Sequence, residues 1–132
     1  MVERMRDLCH LGFDAIRLDY AKGPSSEFWR QARREIKKDY PNVLLIGEIL
    51  GSPIGKHLPS ELAEQVRRGE ISRQEAWQRC YAEVLDGALD FEYQSLLSKA
   101  VKSGNGITNN QALEKALKAH YARYADHPDF QL

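Results

Sequence analysis

Two carboxylates and one guanidinium in this chain have the spacing to do chemistry together. Arg17 and Asp19 lie two positions apart in Phe13-Asp14-Ala15-Ile16-Arg17-Leu18-Asp19, and Glu48 follows the apolar run Val43-Leu44-Leu45-Ile46. Side chains on a strand repeat every two residues, so Arg17 and Asp19 share one side of theirs. Asp19 and Glu48 each stand at the C-terminal end of a strand. If the two strands are parallel neighbours, both acids project from the rim where α/β folds place their ligands. Adjacent strands lie about 4.8 Å apart. Carboxyl groups on neighbouring strand ends can then approach the roughly 5–5.5 Å that separates nucleophile and proton donor in a double displacement at a sugar carbon. One acid must be ionised to attack and the other must hold a proton to release the leaving group. Arg17 would keep Asp19 charged, while Glu48 has no cationic neighbour in sequence, which suits the donor role. The same residues also fit a plainer arrangement, a structural Arg–Asp pair beside an unrelated exposed Glu.

The elements that must position these groups follow from the hydrophobic pattern. Val2, Met5, Leu8, Cys9 and Leu11 recur at helical spacing, and Gly12 supplies a stop. Phe13 to Leu18 reads as a strand. Pro24 and Ser25 open a helix to about Asp39, with Phe28, Trp29, Ala32 and Ile36 on its inner face, and Tyr40-Pro41 ends it. The run from Val43 to Ile46 suits a parallel strand covered on both faces. Strand, helix, strand with short loops calls for a right-handed parallel sheet. Beyond Glu48, residues 51–55 read as a loop, and two helical stretches follow. The second of these begins at Ser72 with the capping box Ser72-Arg73-Gln74-Glu75. Trp77 and Tyr81 fall in it as core residues that could also line a cleft. Residues 87–91 suggest a short strand, and a helix from Glu92 to Lys102 turns Tyr93, Leu96, Leu97 and Val101 inward. A last helix, capped near Thr108 and Asn109, carries Leu113, Leu117, His120 and Tyr121, and a new strand begins near residue 129.

The stretch from Gly12 to Gly23 resembles the fourth-strand motif of the α-amylase family, glycoside hydrolase family 13, and Ile46-Gly47-Glu48-Ile49 resembles its fifth-strand motif. Their order and separation agree with one helix and two loops between them. Leu85 to Phe91, with Asp90, is loosely similar to the sixth-strand stretch. The resemblance implies an α/β fold that is an incomplete (β/α)8 TIM barrel. It would run from about strand 4 to the start of strand 7 as one partial catalytic domain over residues 1–132, with a helical insert over residues 51–86. It implies Asp19 as nucleophile, Glu48 as general acid/base, Arg17 as the group orienting the nucleophile, and Lys22 as a contact to glucose units on the leaving-group side. The implied activity is that of a retaining glycoside hydrolase or transglycosylase on α-linked glucans or maltooligosaccharides; the alternative is a non-catalytic, amylase-like sugar- or partner-binding protein. No cofactor belongs to this segment, and calcium would be held, if at all, by parts of a longer parent. Departures are informative. Gly23 stands where many family members carry His, and the family's third acid, from a His-Asp pair, has no match, since Asp126-His127 has the reverse order. The isolated chain is therefore expected to turn over substrate poorly or not at all.

Composition excludes several other classes. The 132 residues carry 19 Lys plus Arg against 19 Asp plus Glu, so no strong net field draws the chain to nucleic acid or anionic lipid. The basic run Arg30, Arg33, Arg34, Lys37, Lys38 is interleaved with acids and reads as a solvated helix face. No stretch is apolar enough to span a membrane, and the start is not a signal peptide, which favours a cytoplasmic location. Cys9 and Cys80 lack partner spacing and read as small buried hydrophobes; His10, His57 and His120 share no metal-ligand spacing. A phosphate-binding α/β domain would need a regular Gly-rich loop, and residues 51–55 are too irregular for one.

Overall fold

The computed structural model describes residues 1–50, 58–102 and 110–122, together with Tyr124, Ala125, His127, Asp129 and Phe130. The chain forms two compact units, Met1–Leu89 with Asp129–Leu132, and Asp90–Pro128. The first contains α1 (Val2–His10), β1 (Ala15–Leu18), α2 (Ser26–Asp39), β2 (Leu44–Gly47), α3 (Ser60–Arg67), α4 (Arg73–Ala82) and β3 (Gly87–Ala88). The second contains α5 (Phe91–Lys102) and α6 (Asn110–Ala122).

Local sequence explains most of these elements. The Ser25 hydroxyl accepts from the Phe28 N–H at 3.2 Å and caps α2. Ser72 does the same for the Glu75 N–H at 3.0 Å and caps α4. Trp29, Ala32 and Ile36 are the buried residues of α2, spaced for one helical face. Together with Met5 and Cys9 of α1 and with Ile16, Leu18 and Leu45 of the sheet, they supply much of the first unit's core. Trp77 and Tyr81 are buried as expected of core residues, with stacked rings 6.2 Å apart. Both cysteines are thiols, and burial pushes each above the ordinary thiol range.

The strands form one parallel sheet in the order β1-β2-β3. This corrects the expectation of a partial TIM barrel: the protein is a small α/β structure of three strands and six helices among its described residues. A barrel must pair every strand on both sides until the sheet closes. Here β1 and β3 are edges, β3 has only two residues, and the chain then enters α5 and α6. Asp129 and Phe130, where a new strand was expected, belong to none.

Burial alternates along β1 and along the start of β2. Ile16, Leu18 and Leu45 are buried, whereas Ala15, Arg17 and Leu44 are exposed and Ile46 is half-buried. The apolar run at Val43–Ile46 is thus covered on one face, not two. In α5 no residue is buried, and Tyr93, Leu97 and Val101 are exposed rather than turned inward. The basic run of α2 also differs from a purely solvated face, because Arg33 and Lys37 reach the buried Asp86. The loop expected at residues 51–55, the cap at Thr108 and Asn109, His57 and Asp126 lie outside the described residues. No helix among the described residues is long and apolar enough to cross a membrane.

Gly47 sets the spacing at the C-terminal end of β2. A Cβ there would stand 2.6 Å from Leu85 Cδ1, 3.1 Å from Ala21 Cβ and 3.3 Å from Ile49 Cδ1. Gly47→Ala is therefore expected to overpack this end of the sheet and destabilise the fold by about 1–3 kcal/mol. Chemical denaturation would reveal it as a lower midpoint at unchanged slope; an unshifted midpoint would mean that Leu85 yields without cost.

Candidate active site at the sheet edge

The parallel register explains why the two acids meet. Arg17 pairs with Ile46 and Leu18 with Gly47. The ladder continues past both strands, the Glu48 N–H donating to Leu18 O at 2.9 Å and the Ala21 N–H to Glu48 O at 3.1 Å. Asp19 and Glu48 therefore occupy adjacent positions at the same sheet end, as their strand positions implied. Arg17 lies two residues before Asp19 and joins them. Its Nη1 is 2.9 Å from Asp19 Oδ1 and its Nη2 is 3.0 Å from Glu48 Oε1.

Glu48 has no cationic neighbour along the chain; the fold supplies one, and both acids share a single guanidinium. These side chains remain accessible, at 52% for Arg17, 76% for Asp19 and 29% for Glu48. Ion pairs that open to water contribute below about 1 kcal/mol each. The constellation is thus a poor device for stability, and its charged oxygens are within reach of a solute.

The turn after Asp19 is firmly anchored. Tyr20 has φ 48°, a left-handed conformation that costs an L-residue roughly 1–2 kcal/mol. Its N–H points to Glu48 Oε2 at 3.4 Å. The Trp29 indole N–H donates to Ala21 O at 2.6 Å, and the Tyr81 hydroxyl donates to Pro24 O at 3.0 Å. Burial pushes the Tyr81 phenol far up from its ordinary value. On the β2 side, Gln74 donates to Ile49 O at 2.6 Å. Backbone strain held in place by buried partners is the pattern found at functional sites.

Comparison of the chain with protein-family models, with curated proteins and with solved structures returned no match.

Lys22, to which the resemblance gives a contact to glucose units, lies in the turn after β1. It is only 7% exposed, and its ammonium donates to Leu50 O at 2.7 Å, tying the turn after β1 to the segment after β2. Burial lowers its proton affinity, and the nearby Glu48 charge only partly offsets that effect. In this arrangement Lys22 supports the walls of the site. Among the described residues, no three His, Cys, Asp or Glu side chains converge as a calcium or other metal site would require.

Two polar centres escaped the sequence. Asp86, nearly buried, accepts from the Leu45 N–H at 2.8 Å and from Arg33 Nη2 at 2.8 Å, and pairs with Lys37 Nζ at 3.0 Å. It pins α2 to β2, the strand that leads into Glu48. In the second unit Asp90 caps α5 through the Tyr93 N–H at 2.7 Å and meets Nε2 of the buried His120 at 3.0 Å. Glu92 Oε2 stands 3.5 Å from His120 Nδ1. The only sequence signal for either centre was an Asp beside an apolar run, since the partners are distant along the chain.

Proposed function

We propose that Asp19, Arg17 and Glu48 form the reacting centre of a retaining enzyme for α-linked glucans, a hydrolase or transglycosylase. One observation carries this reading: a single guanidinium bridges two accessible carboxylates at the C-terminal edge of a parallel sheet. In the first step an Asp19 oxygen attacks the anomeric carbon while the bond to the leaving oxygen breaks, and the Glu48 proton passes to that oxygen. In the second, water or a sugar hydroxyl attacks the same carbon, Glu48 takes its proton, and the Asp19 ester breaks. Arg17 holds the attacking carboxylate in place and balances its charge until the ester forms and again once it breaks.

An activated glucosyl fluoride carrying a second fluorine on its ring tests the first step in isolation, because fluoride departs without a proton donor. Turnover by this chain is expected to be poor, but the first step alone needs no turnover and should add one fluoroglucosyl mass to the peptide containing Asp19. Asp19→Asn should gain none. Glu48→Gln should still be labelled but should release the label more slowly, because no base then activates water. Folded wild-type protein that stays unlabelled would remove Asp19 as nucleophile.

The shared guanidinium also favours a second reading, a non-catalytic sugar-binding site. Two carboxylates fixed by one guanidinium present a set of hydrogen-bonding oxygens that can hold sugar hydroxyls without reacting. Saturable binding of a maltooligosaccharide to a chain that never forms the adduct would support that reading.

A further inference from the structure

Tyr20 directly follows Asp19, and its N–H points at the second acid, Glu48. The residue is 61% exposed, while Trp29, Trp77 and Tyr81 of the same unit are buried. The ring nevertheless has a fixed seat. Lys22 Nζ lies 5.2 Å from its centroid. Gly23 comes so close that a Cβ there would fall 2.9 Å from Tyr20 Cδ1 and 3.1 Å from Cε1. The Gly23 N–H donates to Tyr20 O at 2.9 Å, closing the turn beneath it. The absence of a side chain at position 23 is thus what lets the ring lie over its own turn. Buried Trp29 and Tyr81 then hold that turn from behind through Ala21 O and Pro24 O.

A rigid aromatic surface beside a few charged oxygens is the composition of a carbohydrate subsite. The ring takes the apolar C–H face of a pyranose, and the polar groups take its hydroxyls. Because the ring is seated before any ligand arrives, little freedom is lost on stacking. The backbone N–H of Tyr20 meets Glu48 Oε2 at 3.4 Å, and Glu48, as the proposed acid/base, would face the leaving oxygen. We infer that Tyr20 is the stacking platform for the glucose unit on the leaving-group side, selecting oligosaccharides over single sugars. This assignment rests on the proposed roles of Asp19 and Glu48.

The test is a heteronuclear NMR titration of the full chain with maltotriose and with glucose. Maltotriose is expected to shift the Tyr20 ring resonances, and glucose to bind far more weakly. Tyr20→Phe keeps the ring and should bind maltotriose within about twofold of wild type, whereas Tyr20→Ala should weaken binding about tenfold. The side chain is exposed, so both variants should fold, which circular dichroism checks. Equal affinity of Tyr20→Ala and wild type, or no binding of maltotriose by wild type, overturns the platform. Its failure is separable from failure of the chemistry. If Asp19 is labelled by the fluorosugar while binding ignores Tyr20, the platform falls and the nucleophile stands. If binding depends on Tyr20 while Asp19 stays unlabelled, the platform stands as a sugar-binding surface and the nucleophile falls.

Discussion

Asp86→Ala is expected to cost the first unit about 3 kcal/mol of stability, mostly by leaving buried groups unpaired. The carboxylate serves the Leu45 N–H, Arg33 and Lys37 together, and its side chain is only 10% exposed. Arg33 is part exposed and can turn to water. The Leu45 N–H, in the middle of the sheet, cannot. Burial alone would push the Asp86 carboxyl up, but the Leu45 N–H and the two cations outweigh it and leave it below the usual carboxylate range. A folded-state value below the unfolded one fixes the sign. The contribution is fully present above the unfolded value, about pH 4, and is lost as pH falls through the lowered folded value. Denaturant melts of wild type should therefore weaken on acidification in this window, and those of Asp86→Ala should weaken less. Parallel acid limbs would show that Asp86 is not the group responsible.

Trp29→Ala should be at least as damaging, at about 3–5 kcal/mol. The indole is 3% exposed, packs edge-on against Phe28 with ring centroids 5.0 Å apart, and donates to Ala21 O. Its removal leaves a large cavity and an unpaired carbonyl in the turn beside the acids. Trp29→Phe separates these effects. It preserves much of the volume but loses the N–H, and should cost about 1–2 kcal/mol. It should also slow labelling of Asp19 by more than its stability loss explains, since the turn after Asp19 then lacks one anchor. Labelling at the wild-type rate in a Trp29→Phe chain would show that this hydrogen bond positions nothing.

The parts of the molecule legible in the sequence are those with local causes. Ser25 and Ser72 cap helices because their hydroxyls reach N–H groups three residues on. Trp29, Ala32 and Ile36 share a helical face because of their spacing. Asp19 and Glu48 could be placed on one rim because strand period and parallel grammar act over short distances. The extent of the sheet was not legible. The local pattern that opens a barrel also builds a three-stranded sheet, and nothing within Val43–Ile46 states whether one face or two will be covered. The periodicity of α5 groups Tyr93, Leu97 and Val101, yet covering them requires another element. The Arg33–Asp86 and Leu45–Asp86 bonds span 53 and 41 positions, so no window along the chain contains both partners. The bridging role of Arg17 was half visible: its partner at Asp19 is local, and its partner at Glu48 depends on the register between strands.

The open face of the sheet gives the charged trio a second consequence. Leu44 and Ile46 stand beside Arg17, Asp19 and Glu48, and among the described residues no strand pairs with the outer edge of β1. Flat apolar strand edges invite pairing with other chains, and inward-pointing charges are a common defence. The groups proposed to attack a sugar are thus also gatekeepers of colloidal behaviour. Neutralising them one at a time strips hydration from the strip around Leu44 and Ile46, so acid-to-amide variants should be handled dilute.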